Sequence, residues 1–347
     1  MLIVLLCVVA VGNLALGQSP IVTVSQGTMR GQIFKSRDGR DFFSFTKIPY
    51  AKPPVGERRY MLTGRYPVIF NIHGGAFFAG SAGTESSAKF FMDENVVFAA
   101  PNYRLGPLGF LSLEDNVVTG NMGLKDQALA LEWVQQEISK FGGDPNLITV
   151  IGGSAGAASA DIICSAPRTN GIIKACVSQS GVGLSPWVFM KPGVPRRMAL
   201  NLARALGCNE TGDVLKCLRS KPIEQKEDNA YLATPVLEPE NAPGAILTKW
   251  PTGTNHNYPW IIGVVQDEGM VSTGDYEFHK KTQDETEKFI NNFNEVLIST
   301  YNLQNRTKDV QKLRERYFKN GIEPLVAIRN VIFYGGLFCV PVSEELK

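Results

Sequence analysis

Apolar and polar positions along the chain follow two alternating patterns. Short apolar runs rich in β-branched residues recur at 67–72, 96–100, 147–151, 173–178 and 260–265. Between them, 124–140, 155–164 and 196–206 carry apolar residues at helical spacing. Continuous apolar strands that alternate with helices predict βαβ units around a mostly parallel sheet with helices on both faces. Beyond Glu268 the character changes. There 284–300, 308–319 and 324–338 all show helical periodicity, with no strand-like run between them.

The first seventeen residues differ from the rest. Residues 2–11 are apolar and uncharged, and Ala15-Leu16-Gly17 closes the run with small residues. It is too short for a comfortable membrane span and predicts a secretory leader, 1–17, cut before Gln18. No Lys or Arg precedes the apolar stretch, and no later segment is long and apolar enough to span a bilayer. The remaining 18–347 are long for one domain but ordinary for an α/β enzyme. An apolar content of 44% supplies a sizeable core, and a net charge of +2 without a Lys/Arg block argues against a nucleic-acid partner.

Chemistry enters where the strand 147–151 ends. It runs into Gly152-Gly153-Ser154-Ala155-Gly156, a G-x-S-x-G, and a run of small helix formers follows. Strand, tight turn and helix are the context of a nucleophile elbow, with Ser154 exposed at the turn. Ser154 would also sit at a helix N-terminus, where free N–H groups favour developing negative charge. Upstream, the strand 67–72 runs into His73-Gly74-Gly75-Ala76-Phe77. Consecutive glycines let N–H donors approach an oxyanion without obstruction by side chains. The expected donors are Gly74, Gly75 and Ala155. Ser81, in Ala79-Gly80-Ser81-Ala82-Gly83, lacks the first glycine and reads as loop structure.

These blocks resemble the type-B carboxylesterases of the cholinesterase group, an α/β-hydrolase family, and insect esterases in particular. The similarity extends through Gly27-Thr28-Met29-Arg30-Gly31, Lys47-Ile48-Pro49-Tyr50-Ala51, Asn102-Tyr103-Arg104-Leu105-Gly106, Gly123-Leu124-Lys125-Asp126-Gln127 and Phe141-Gly142-Gly143-Asp144-Pro145. It implies an α/β-hydrolase fold with a helical cap region beyond Glu268, and a secreted enzyme that cleaves carboxylic esters without a cofactor. It also implies that Glu268, followed by Gly269 after the strand 260–265, is the triad acid that orients a histidine. Asp267 is the competitor for that role. The resemblance further implies a disulfide between Cys208 and Cys217.

An extracellular setting makes the other cysteines informative. Without Cys7, which falls in the leader, Cys164, Cys176 and Cys339 remain beside that pair. Cys164 and Cys176 read as small buried apolar residues, and Cys339 as free or deprived of its partner. No Cys/His group has ligand spacing, so no metal is expected. Asn209-Glu210-Thr211 and Asn305-Arg306-Thr307 are glycosylation sequons.

Three departures from the family stand out. The expected order is serine, acid, histidine, and the histidine is due roughly a hundred residues after the acid, past Lys347. The chain has His73 in the oxyanion loop, His256 before the acid and His279 in a charged segment, and none suits the base. Between Tyr60 and Met61 a disulfide loop and its following strand are missing, which should leave a central strand bare on one side. Gly153 stands where many relatives carry a glutamate beside the nucleophile. The expectation is a serine ester hydrolase written as a truncated copy, with no base in this chain. The alternatives are a non-catalytic binding or adhesion relative and a stoichiometric trap that is acylated without turning over.

Overall fold

The computed structural model describes residues 3–9, 20–25, 27–49, 65–83, 87–222, 233–249, 258–270, 273, 282–295, 307–318 and 324–332. Among these, β1 (Ile3–Val9), β4 (Gln32–Lys35), β5 (Asp41–Pro49), β6 (Tyr66–Ile72), β7 (Val97–Pro101), β8 (Gly143–Gly153), β9 (Ile173–Gln179) and β10 (Trp260–Gly263) form one sheet. Its order is β10-β9-β8-β6-β7-β1-β5-β4, and β2 (Ile21–Val24) pairs with β3 (Gly27–Arg30) in a separate ribbon. The five strands from β10 to β7 run parallel, and the β1, β5 and β4 side is antiparallel.

All five strands expected from the apolar runs are present, with small shifts at their ends. The run 260–265 leaves the ladder after Gly263, and Val264 and Val265 turn towards a cleft. The helix expected at 124–140 begins at Met122, as α3 (Met122–Glu137), and tightens into a 3₁₀ turn that stops at Gly142 with φ 82°. The other helices are α1 (Ser87–Phe91), α2 (Gly106–Phe110), α4 (Ala155–Ser165), α5 (Val194–Ala205), α6 (Val214–Arg219), α7 (Gln283–Asn291), α8 (Thr307–Tyr317) and α9 (Pro324–Ile332). The core lies where sheet side chains such as Phe70, Ile72 and Val150 meet Leu124, Leu131 and Val134 of α3. Past β10, α7 to α9 gather around buried Phe293, whose ring lies 5.9 Å from that of Phe318.

The central edge expected to be bare is covered. β7 is buried along its whole length, and its outer side pairs with β1 from Val4↔Pro101 to Val8↔Val97. The other side of β1 pairs with β5. An uncharged apolar segment suits a strand flanked on both sides, and the same property makes it read as a leader. The Tyr60–Met61 junction and residues 10–17 lie outside the described residues.

A second difference concerns Cys164 and Cys176. Both are buried, at 7% and 0% exposure, but they are joined to each other in a disulfide. The chain leaves α4, turns back through 166–172 and enters β9, which brings Cys176 beside the last turn of α4. Treating each cysteine alone missed that return. Cys208 and Cys217 form the other disulfide among the described residues, between the end of α5 and α6.

Two outcomes follow. A chain beginning at Gln18 loses β1 and leaves β5 and β7 unpaired between them, so it should melt at lower temperature and scatter more light than the full chain. Replacing Cys164 and Cys176 by alanine opens a loop of 12 residues. By chain entropy this should cost about 3 kcal/mol in denaturant unfolding.

Candidate active site

Ser154 sits where β8 passes into α4, with φ 56° and ψ −124°. Side chains rarely adopt this conformation, and it persists where the surroundings impose it. Here the N–H of Ser154 donates to Gln179 O at 2.8 Å, and Ser154 O accepts from the N–H groups of Ala157 and Ala158. The side chain is exposed while Ala155 and the helix behind it are buried. Ala155 occupies the first position of α4, where an N–H has no partner within the helix.

The glycines of the elbow are required by close approach. A Cβ on Gly152 would lie 2.2 Å from Gly156 O, and one on Gly156 would lie 2.1 Å from Ile72 O. Gly153 differs, because a Cβ there meets nothing within 4 Å.

The glycine loop after β6 faces the serine. A Cβ on Gly74 would lie 3.4 Å from Ser154 Cβ and 2.7 Å from Gly153 O. Gly75 has φ 112°, so a side chain there would be strained as well as obstructed by Ala79 O. His73 is 1% exposed, its Nδ1 donates to Gly74 O at 2.8 Å, and its ring stacks on Tyr103. It shapes the loop and is not presented to the cleft. Gly74, Gly75, Ser154, Ser180, Val264 and Val265 line an open cleft of about 730 Å³.

Glu268 and Asp267 lie side by side in the turn after β10 but in different environments. Glu268 is 8% exposed, and its Oε1 accepts the N–H of Val265 at 3.0 Å. Asp267 is exposed. The buried carboxylate therefore braces a residue of the cleft wall, two strands from Ser154. Tyr258 fastens the chain just before β10 by donating its hydroxyl to Cys164 O. Burial, and then Asp161, push the Tyr258 hydroxyl well above its ordinary pKa, which keeps it protonated as a donor.

Sequence reasoning missed Ser180 and Trp187. Ser180, with φ 62°, follows β9, and its N–H donates to Gly263 O. It lies beyond the carboxyl end of a parallel strand, where ligands bind in such sheets, and that rule could have found it. Trp187 packs beside Gly181, whose other neighbour is the Ser154 carbonyl. A Cβ on Gly181 would lie 3.1 Å from the indole and 2.8 Å from Ser154 O. No local sequence signal marks that contact. Among the described residues no group of Cys, His, Asp and Glu could hold a metal, and no helix is long and apolar enough to cross a membrane. His256, His279, Asn305 and Cys339 lie outside the described residues.

A serine held in this turn at the end of a central parallel strand, above a helix and opposite a glycine loop, defines the α/β-hydrolase class. Within that class the chain belongs to the carboxylesterase family, whose model matches residues 18–63 and 61–324. It is 32% identical to venom carboxylesterase-6 of Apis mellifera, over 88% of this chain and 67% of that one. It is 33% identical to a carboxylic ester hydrolase of Bombus ignitus over 73% of this chain, and 30% identical to juvenile hormone esterase of Tribolium castaneum over 73%. The chain spans 57% of the Bombus protein and 55% of the Tribolium one. The Apis alignment has 384 positions but takes in only 88% of 347 residues, so that relative carries residues within the aligned region that have no counterpart here.

The two glycines at the elbow should respond oppositely to one added methyl. Gly156→Ala meets backbone and should cost at least the ~1–3 kcal/mol of an overpacked core. Gly153→Ala should stay within about 0.5 kcal/mol of the parent, as a surface change does. Denaturant unfolding of both variants checks the contrast.

Proposed function

We propose that the chain is a secreted carboxylic ester hydrolase that works through an acyl-enzyme on Ser154. The observation that carries this is the exposed Ser154, held at φ 56° against Gly74 of the facing loop. Ser154 Oγ attacks the ester carbonyl carbon as its proton passes to a general base, which then returns that proton to the departing alkoxide. The N–H groups of Gly74, Gly75 and Ala155 stabilise the tetrahedral oxyanion, and its collapse expels the alcohol. Water then attacks the acyl-enzyme and releases the acid. Glu268 is the acid placed to orient a histidine base that this sequence does not itself supply, and its burial beside the cleft wall supports it over Asp267. No cofactor takes part, and the substrate is a small carboxylic ester.

As the sequence leads one to expect, no histidine of this sequence is proposed as the base. For His73 the buried, stacked position supports this. That same observation favours a second reading, in which Ser154 is acylated or phosphonylated once and turns over very slowly, so that the protein sequesters its ligand. For export, the family match beginning at residue 18 agrees with a leader that ends at Gly17. Asn209 is proposed as a glycosylation site. It is exposed, and its Oδ1 accepts from both N–H and Oγ of Thr211. Asn305 is proposed from its sequon alone.

Incubation with a fluorophosphonate, followed by peptide mass spectrometry, tests the site. Ser154 should carry the adduct, and Ser154→Ala should abolish it. Hydrolysis of an activated aryl ester by the same chain should fall about 10⁴–10⁶-fold below that of an intact triad. An adduct with measurable turnover supports the hydrolase, an adduct without turnover supports the trap, and no adduct overturns both.

A further inference from the structure

The glycine loop is held in an improbable shape by a residue that none of the chemistry above uses. Gly75, Ala76 and Phe77 have φ of 112°, 51° and 65°, a consecutive left-handed run. Glycine tolerates this, but for a bulky side chain it is a genuine outlier. Such a conformation survives only where its surroundings over-determine it.

The surroundings of Phe77 do so. Its side chain is fully buried, at 0% exposure. Its ring meets that of Phe110 edge-on at 5.2 Å and lies 6.3 Å from that of Trp187. Its carbonyl accepts the N–H of Gly106 at 2.7 Å. Phe110 and Gly106 belong to α2, and Trp187 is the indole that packs beside Gly181. At the other end of the loop, Tyr103 donates its hydroxyl to His73 O at 2.7 Å. Between these anchors, Gly75 O accepts from the N–H groups of Phe78 and Ala79, which closes a tight turn. Phe78 is the built-in contrast: the same residue type, one position on, is 49% exposed.

We propose that Phe77 is a positioning residue for the oxyanion donors. Its ring, locked between Phe110 and Trp187, keeps the turn left-handed and so keeps the Gly74 and Gly75 amides against Ser154. This rests on the assignment of that loop as the oxyanion hole. Removing the ring lets residues 75–77 relax to ordinary negative φ, which swings those amides away from the serine.

The test uses the full chain with Phe77→Ala, Phe77→Leu and Phe78→Ala, and two readouts. The first is amide hydrogen exchange in peptides covering residues 73–80. Phe77→Ala should raise exchange there by about tenfold or more while β6 and α4 keep their protection. The second is phosphonylation of Ser154, resolved into its maximal rate and its half-saturating concentration. The maximal rate should fall about tenfold or more, as expected when an oxyanion donor is misplaced, with half-saturation little changed. Phe77→Leu should recover part of both effects, and Phe78→Ala should show neither. Phe77→Leu carries the test if Phe77→Ala does not fold. A lower melting temperature with unchanged loop exchange and maximal rate would make Phe77 a packing residue only, and the proposal would fall. If the parent chain takes up no phosphonate, the oxyanion assignment fails by itself, and loop exchange alone decides whether Phe77 holds the turn.

Discussion

The site depends on one backbone contact, the approach of Gly156 to the carbonyl of Ile72. With a Cβ only 2.1 Å from that oxygen, no other residue fits without moving α4 or β6. The contact makes the first turn of α4 lie across the end of the neighbouring strand. Ser154 at the end of β8 and Gly74 at the end of β6 are therefore adjacent, although eighty residues separate them in sequence. Gly152 does the same within the elbow, where its missing side chain lets α4 fold back over its own strand.

Packing around this contact explains why the loop after β6 is rigid enough to matter. Arg104 binds Asp126 of α3 through two bonds of 2.7 Å, and its own N–H also donates to that carboxylate. This fixes the segment that carries Tyr103 and Gly106, which hold the two ends of the glycine loop. On the opposite side, buried Asp161 of α4 accepts the N–H of Gly183 and so fixes the segment leading to Trp187. Elements away from the cleft thus hold both ends of the glycine loop. Under the proposed mechanism, with its preorganised donors, that support is what would tie stability to chemistry.

Much of this was legible in the sequence. The strand-like runs marked all five parallel strands, because each is a short, largely apolar run bounded by turn residues. G-x-S-x-G and the double glycine marked the two segments that face each other across the candidate site, since both are demands of the backbone and leave a mark in residue type. The acid was less clear. Burial and the bond from the Val265 N–H separate Glu268 from Asp267, and both depend on how the turn after β10 packs. Contacts formed by chain return left no mark at all. The Cys164–Cys176 pairing depends on the path through 166–172, and Trp187 packs beside a glycine six residues away. Phe77 falls within the loop motif, but nothing local distinguishes it from Phe78.

The N-terminal run shows a deeper limit, because one composition satisfies two physical demands. A leader must be apolar, uncharged and short, and so must a strand covered on both sides. β1 meets the second demand by filling the place between β5 and β7. The family match begins just after this run, and its two segments meet at residues 61–63, shortly before β6. In this chain residues 3–9 fill the place beside β7. Export with cleavage and a fully paired sheet therefore draw on the same residues, and one molecule cannot satisfy both with β1 alone.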